Sequence, residues 1–203
     1  MKRIRKLLVA ISLSSLFLGQ ALPSSAQHLV TPTYNLEQMV GGAERIFVGK
    51  VIGAREDYIS AAGGNLPITA YTFEVDEVLK GSMGNTLTIR QVGHHSNPSS
   101  FIGQSVPEYK EGSVVMLFLH ADSHYGLTSP VGLGQGTFLV KMDGPIKISV
   151  RNSWGNRGLL ERSARIDAMF QAESPRFPHP LQTAKDALPY EGFRNLIIKL
   201  VQH

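Results

Sequence analysis

Tyr71, Phe73 and Val75 alternate with Thr72, Glu74 and Asp76. An apolar–polar period of two residues is the period of a strand with one face buried and one face wet. This pattern constrains the chain most, because a strand that hides one face needs partners in a sheet and a layer to cover it. The alternation slips at Glu77, where Val78 falls out of phase. One extra residue there predicts a β-bulge, the usual device by which a sheet is made to curve.

Other segments supply the partners. Ile46–Ile52 is apolar and β-branched on both faces, with Gly49 and Gly53 marking a bend or a close backbone approach. A Gly/Ala/Asn-rich stretch, 61–67, separates it from the strand beginning at Ile68, and Thr86–Val92 follows the turn 80–85. Val114–Leu119 is apolar without alternation, which predicts a central strand covered on both sides. Residues 125–128, 136–142 and 146–150 complete six or seven strands, the last two split by the turn Asp143-Gly144-Pro145. Asn35 caps a short leading helix with Leu36, Met39, Val40 and Ala43 on one face. After Val150 come a helix over 159–171, a Pro-rich linker over 173–189 without regular structure, and a last helix over 190–202 with Phe193, Ile197, Leu200 and Val201 in one stripe. The expected fold is mainly β: a small curved antiparallel OB-like β-barrel with a short leading helix and C-terminal helices.

The first 26 residues carry Lys2, Arg3, Arg5 and Lys6, an apolar run over 7–18 and the ending Ser24-Ser25-Ala26. This is the build of a cleaved signal peptide, and its apolar run is shorter than the ~20 residues a spanning helix needs. The expected organisation is a signal peptide over 1–26, a barrel domain over 27–155 and a helical extension over 156–203, periplasmic or secreted, with no membrane span after cleavage. Of 20 Lys+Arg against 16 Asp+Glu, the leader holds four basic residues and no acidic one. The remainder is charge-balanced, so the basic isoelectric point gives no reason to expect nucleic-acid binding. With no cysteine in the chain, an exported domain of this size must be held by packing alone.

Leu36-Glu-Gln-Met-Val40 with Ala43, Ile46-Phe-Val-Gly-Lys-Val51, Phe73-Glu-Val-Asp-Glu-Val-Leu-Lys-Gly81, Gly112-Ser-Val-Val-Met-Leu-Phe-Leu119 and Gln135-Gly-Thr-Phe-Leu-Val140 follow one another in an order that resembles a group of exported bacterial proteins. Their barrel is like that of the oligonucleotide/oligosaccharide-binding fold, and is similar in layout to tissue inhibitors of metalloproteinases and netrin-like modules. The resemblance covers residues 35–155 and implies a fold, not an activity. The animal inhibitors use an N-terminal cysteine on the protease zinc, and this chain has none, so that mechanism does not carry over.

No catalytic constellation emerges. Gly132-Leu-Gly-Gln-Gly136 leads into a strand where a phosphate loop needs a helix, and Gly103-Gln-Ser105 lacks the second glycine of a nucleophile elbow. The pairs Glu108/Glu111 and Glu74/Asp76 read as solvated charges. Two kinds of candidate site remain. Tyr109 and Trp154 lie in loop-like sequence as a recognition surface for an envelope or extracellular protein or glycan, or else fill the barrel mouth. His120 and His124 flank Ala-Asp-Ser; a three-residue hairpin there would set them opposite one another with Cβ atoms about 4.5–5.5 Å apart. That pair, with His94 or His95 from the long loop 93–112, is a possible Zn or Cu site. The leading expectation is an exported non-enzymatic binding module. Its alternative is a metal-binding protein or metal-dependent hydrolase using the loop histidines.

Overall fold

A computed structural model describes residues 32–61, 63–94, 106–161, 166, 168 and 187–202. Helix α1 (Leu36–Gly42) is followed by strands β1 (Arg45–Ala61), β2 (Gly64–Lys80), β3 (Thr86–Val92), β4 (Val114–Leu119), β5 (Thr137–Asp143), β6 (Ile146–Asn152) and β7 (Leu188–Pro189), then by helix α2 (Tyr190–Val201). The strands form one antiparallel sheet in the order β3-β2-β1-β4-β5-β6-β7. This fold is mainly β, as the periodicity predicts, but the sheet is open: β3 and β7 are its edges, and no ladder joins them among the described residues.

Local chemistry fixes α1 as expected. The Asn35 side chain accepts from the Gln38 N–H at 2.9 Å while Gln38 accepts from the Asn35 N–H at 3.0 Å, a reciprocal capping box. Leu36, Met39 and Val40 are the buried stripe of the helix.

The first hairpin is longer than its hydrophobic pattern suggests. Rather than a strand ending near Ile52 and a separate stretch over 61–67, β1 runs to Ala61 and pairs with β2 as far as Ala61 opposite Gly64. Gly63, at φ +80°, makes the tight connection. Residues 54–58 expose their side chains, so their pairing leaves no burial signature in the sequence.

Curvature arises where the alternation slips. In the β1–β2 ladder Ile46 faces Lys80 but Phe47 faces Val78, and Val48 faces Glu77 but Gly49 faces Val75. Leu79 and Asp76 are therefore extra residues on β2, one on each side of Glu77. Phe73 and Leu79, six apart, share a face in an unbroken strand. The insertion at Asp76 reverses the phase, so Phe73 joins one apolar cluster and Leu79 the other. A third shift, between Val51 and Gly53, lies on β1, and a fourth breaks β5–β6 after Lys141. Gly49 is the close approach expected of it, since a Cβ there would stand 2.6 Å from the Glu74 carbonyl oxygen.

Two cores result. Leu36, Met39, Ile46, Val48, Met116, Phe118, Phe138, Val150, Phe193 and Ile197 are among the residues that fill the space between the sheet and the two helices. Phe47, Val51, Tyr71, Phe73, Ile89, Val115, Leu117 and Leu119 pack on the other face. β4 feeds both, which explains its unbroken apolar run.

Downstream of β6, two expectations are corrected. Residues 153–161 form successive turns, so no helix begins at Leu159; Ile166 and Ala168 are helical, and the rest of 162–171 lies outside the described residues. The predicted Pro-rich linker ends in structure, because Leu188 and Pro189 pair with Val150 and Ser149 of β6. Proline is tolerated there because β7 is an edge strand. The remainder of that linker, like the leader, falls outside the described residues.

Helix α2 is docked. Tyr190, Phe193, Leu196 and Ile197 are buried, each such side chain contributing roughly 1.5–3 kcal/mol. Its first turn is tied to the bulge: the Tyr190 hydroxyl donates to Glu77 Oε2 at 2.8 Å, and the Arg194 guanidinium pairs with Glu77 Oε1. Lys147 sits 5.6 Å from the Tyr190 ring centroid and pairs with Asp76 at 3.4 Å. Burial disfavours ionised Glu77, but the hydrogen bonds from Arg194 and Tyr190 and the charges of Arg194 and Lys147 outweigh it and hold its carboxyl below the usual range. A folded-state pKa below the unfolded value of ~4.3 contributes stability above that pH, which is lost as pH falls through the folded value. Urea midpoints should therefore fall below about pH 4.3 more steeply for the native chain than for Glu77→Gln. Equal slopes would mean that this pair does not couple helix docking to pH.

Candidate functional site

Among the described residues His94, His120 and His124 each have a different neighbour. Leu119 bridges to Pro130 and the His120 N–H donates to the Ser129 carbonyl at 3.1 Å, so the connection after β4 is a wide loop and not a three-residue hairpin. His120 lies opposite Ser129, and no strand forms over 125–128. A turn at Ser123–Leu127 carries His124, whose ring packs at a tilt against Tyr125 with centroids 3.6 Å apart. His120 Nδ1 is 3.2 Å from the Gly42 carbonyl oxygen, and Asp122, between the two histidines in sequence, is paired with Arg45. Bonding from Thr128 N–H to the Arg90 carbonyl at 3.0 Å brings this loop to the outer edge of β3.

His94 is elsewhere. Its Nε2 lies 2.7 Å from the Asp57 carbonyl oxygen and its ring packs edge-on against Tyr58. β1 places Arg45 beside the loop of His120 and Asp57 beside His94, on the order of 40 Å of extended strand apart. His95 lies outside the described residues. Among the described residues no three His, Asp or Glu side chains are grouped to hold a metal ion.

Tyr109 is a core residue, 4% exposed, not a recognition surface. Its ring meets Tyr71 and Phe73 edge-on at 4.8 and 5.6 Å between centroids. Gln91 Nε2 donates to its hydroxyl at 3.2 Å, and burial pushes the phenol up to about 12. Its neighbours Glu108 and Lys110 are exposed, so nothing in the local sequence signals that the tyrosine between them plugs the second core.

Trp154 has the opposite character. It stands in the loop leaving β6 and remains 39% exposed. Two asparagines fix that loop. Asn152 Oδ1 accepts from the Trp154 N–H at 3.1 Å and from the Asn156 N–H at 2.7 Å, and Asn156 Oδ1 accepts from the Asn152 N–H at 2.9 Å. Asn152 Nδ2 donates to the Gln135 carbonyl at 3.0 Å, binding the loop to the short 3-10 turn Leu133–Gln135. Gly155 and Asn156 take positive φ, +64° and +58°, conformations that glycine and asparagine adopt most readily.

The indole rests on Gly134, where an added Cβ would come within 3.2 Å of its Cδ1 and Nε1 and 2.2 Å of Ser153 Oγ. Thus the Gly132-Leu-Gly-Gln-Gly136 run, expected only as a strand entry, also makes the seat of the tryptophan. Gln135 secures that seat from beneath: its Oε1 accepts from the Tyr34 N–H at 2.9 Å and its Nε2 donates to the Pro32 carbonyl at 2.8 Å.

Around Trp154 opens a concavity of about 640 Å³ lined by Arg151, Ser153, Trp154, Gly155 and Arg157. Among the described residues neither arginine has an acidic partner. Sequence reasoning found the tryptophan and missed both arginines. Their signal was the run Arg-Asn-Ser-Trp-Gly-Asn-Arg itself, in which turn-forming Asn and Gly fold the chain back and bring residues 151 and 157 to one opening. Chemically the arrangement offers an aromatic platform and two guanidinium forks on a hydrogen-bonded loop and, among the described residues, no nucleophile paired with a base. No model of a known family matches the chain, and no curated protein matches it.

Proposed function

We propose that the protein is an exported, non-enzymatic binding module that recognises a glycan through the loop after β6. The single observation that carries this reading is Trp154, held on a hydrogen-bonded loop with its ring part-exposed in an open concavity of about 640 Å³. Cavities of roughly 300–1,000 Å³ are the usual size for small-ligand sites, and a few placed polar groups beside an aromatic surface set their specificity. A pyranose presents one apolar C–H face and a rim of hydroxyls, which suits an indole bordered by hydrogen-bond donors. Among the described residues the concavity is lined by no acid/base pair, which supports binding without conversion of the ligand. Export rests on the leader over residues 1–26 and places the partner in the periplasm or outside the cell. On this reading the bulged sheet belongs to the OB-like barrel group: the four register shifts and the crossing of the 120–130 loop to β3 support a sheet curled toward closure.

Trp154 is the only tryptophan in the chain, so its fluorescence reports directly on the site. Residues 27–203 should be retained on an array of bacterial and host glycans, and a retained glycan should shift the emission. Trp154→Ala should weaken retention at least tenfold without lowering the melting temperature. Retention that survives Trp154→Ala unchanged would move the contact surface elsewhere, and retention of proteins but of no glycan would replace the glycan with a protein partner.

A further inference from the structure

Resting on that reading, we infer the ligand class: the Trp154 concavity takes a saccharide that carries a carboxylate, a uronic-acid unit, with the ring stacked on Trp154 and the carboxylate held by Arg151 and Arg157.

Three observations converge on an anionic sugar. First, the concavity has two guanidinium groups and, among the described residues, no acidic side chain in its lining. Second, among the described residues neither guanidinium has an acidic partner, in contrast to Arg45 and Arg194, which are paired with Asp122 and Glu77. Exposed arginines with no acidic partner among the described residues can meet a ligand at this opening. Third, the positive character extends along the outer face of the sheet. Arg151 lies directly opposite Leu139 in the β5–β6 ladder, and Lys141 stands two residues further along the same face. All three are exposed, while Phe138, Val140, Val150 and Asn152 point inward. With residues 1–26 removed the chain has equal numbers of acidic and basic groups, so this patch is a local arrangement and not a by-product of a basic protein.

Arginine chemistry selects the carboxylate. A guanidinium presents parallel N–H donors that match the two coplanar oxygens of a carboxylate, a directional fit that a lysine ammonium lacks. A uronic acid holds its carboxylate at the edge of the ring, beside the apolar C–H face. Stacking that face on Trp154 therefore carries the carboxylate to the rim of the indole, where Arg151 and Arg157 stand on either side of the loop. A neutral hexose would keep the stacking contact and lose the charged one.

The test uses residues 27–203, with Trp154 fluorescence and calorimetry as readouts and trigalacturonate, galactotriose and a sulfated galactotriose as probes. Trigalacturonate should bind at least tenfold more tightly than galactotriose. Arg151→Gln and Arg157→Gln should each weaken trigalacturonate at least tenfold, leave galactotriose unchanged and leave the melting temperature within about 1 °C, because both side chains are exposed. Arg151→Lys should recover little of the loss. Equal binding of trigalacturonate and galactotriose overturns the carboxylate assignment while leaving the glycan-binding reading intact. Tighter binding of the sulfated trisaccharide, with recovery by lysine, also overturns it, since the site then reads charge and not carboxylate geometry. If no saccharide binds at all, both readings fall together.

Discussion

Phe193→Ala is expected to destabilise the protein by about 3–5 kcal/mol, the range for removing a fully buried phenyl ring. Phe193 is 0% exposed, and its ring lies 5.0 Å between centroids from that of Phe138 in β5. It is the central anchor of α2, flanked by Tyr190, Leu196 and Ile197 on the same buried stripe. The shared core contains Leu36, Met39 and Val40 from α1, so the cavity left by the ring loosens both helices at once. Leu200 supplies the control. It is only partly buried at the edge of the same cluster, and its truncation should cost about 1 kcal/mol. Urea unfolding of both variants decides the matter. If Phe193→Ala loses no more than Leu200→Ala, α2 is a loosely held tail and not part of the domain. An intermediate in which α2 detaches while the sheet persists would show as a lowered m-value in far-UV detection.

How far the sequence alone leads depends on whether a feature is written in side-chain burial or in backbone pairing. The alternation over 71–76 and the all-apolar β4 are burial patterns and emerge where the spacing puts them, while the expected stripe of α2 holds for Phe193 and Ile197 but shifts from Leu200 and Val201, only partly buried, to Tyr190 and Leu196. The slip at Glu77 is legible for the same reason, though it resolves into two inserted residues, Asp76 and Leu79, instead of one. Backbone pairing with exposed side chains has no such signature. Residues 54–61 look like a connection and are strand, and Leu188–Pro189 look like linker and are an edge strand. Loops fail for a third reason: a loop is positioned by contacts from distant sequence. Asp122 is paired with Arg45, 77 residues away, and His120 Nδ1 lies against the Gly42 carbonyl at the end of α1. Tyr109 and Trp154 look alike in sequence, each an aromatic in a polar loop. One is drawn into a core by Tyr71 and Phe73, while the other is lifted out by Gly134 and the two asparagines.

Asn152→Ala should be nearly as disruptive as Phe193→Ala, and through different physics. Asn152 is 3% exposed, and its side chain satisfies three backbone groups: the N–H of Trp154, the N–H of Asn156 and the carbonyl of Gln135. Each buried polar group left without a partner costs about 1–3 kcal/mol, so the loss should total at least about 3 kcal/mol unless water enters. Water can reach this loop only by spreading it, because Asn156 is itself 0% exposed and bonded back to the Asn152 N–H. Stability and binding should therefore fall together, with the emission of Trp154 moving toward that of a solvated indole even before the protein unfolds. Asn152→Asp separates the two contributions. It keeps an oxygen for the two N–H groups but sets a carboxylate against the Gln135 carbonyl in place of the donor that bonds it. That variant should hold the loop while weakening its attachment to the 3-10 turn, giving an intermediate loss in urea and retained ligand binding. Should Asn152→Ala instead melt within about 1 °C of the native chain and keep its glycan, the loop is held by its glycine and asparagine turn geometry alone, and the preorganisation argued for Trp154 does not depend on Asn152.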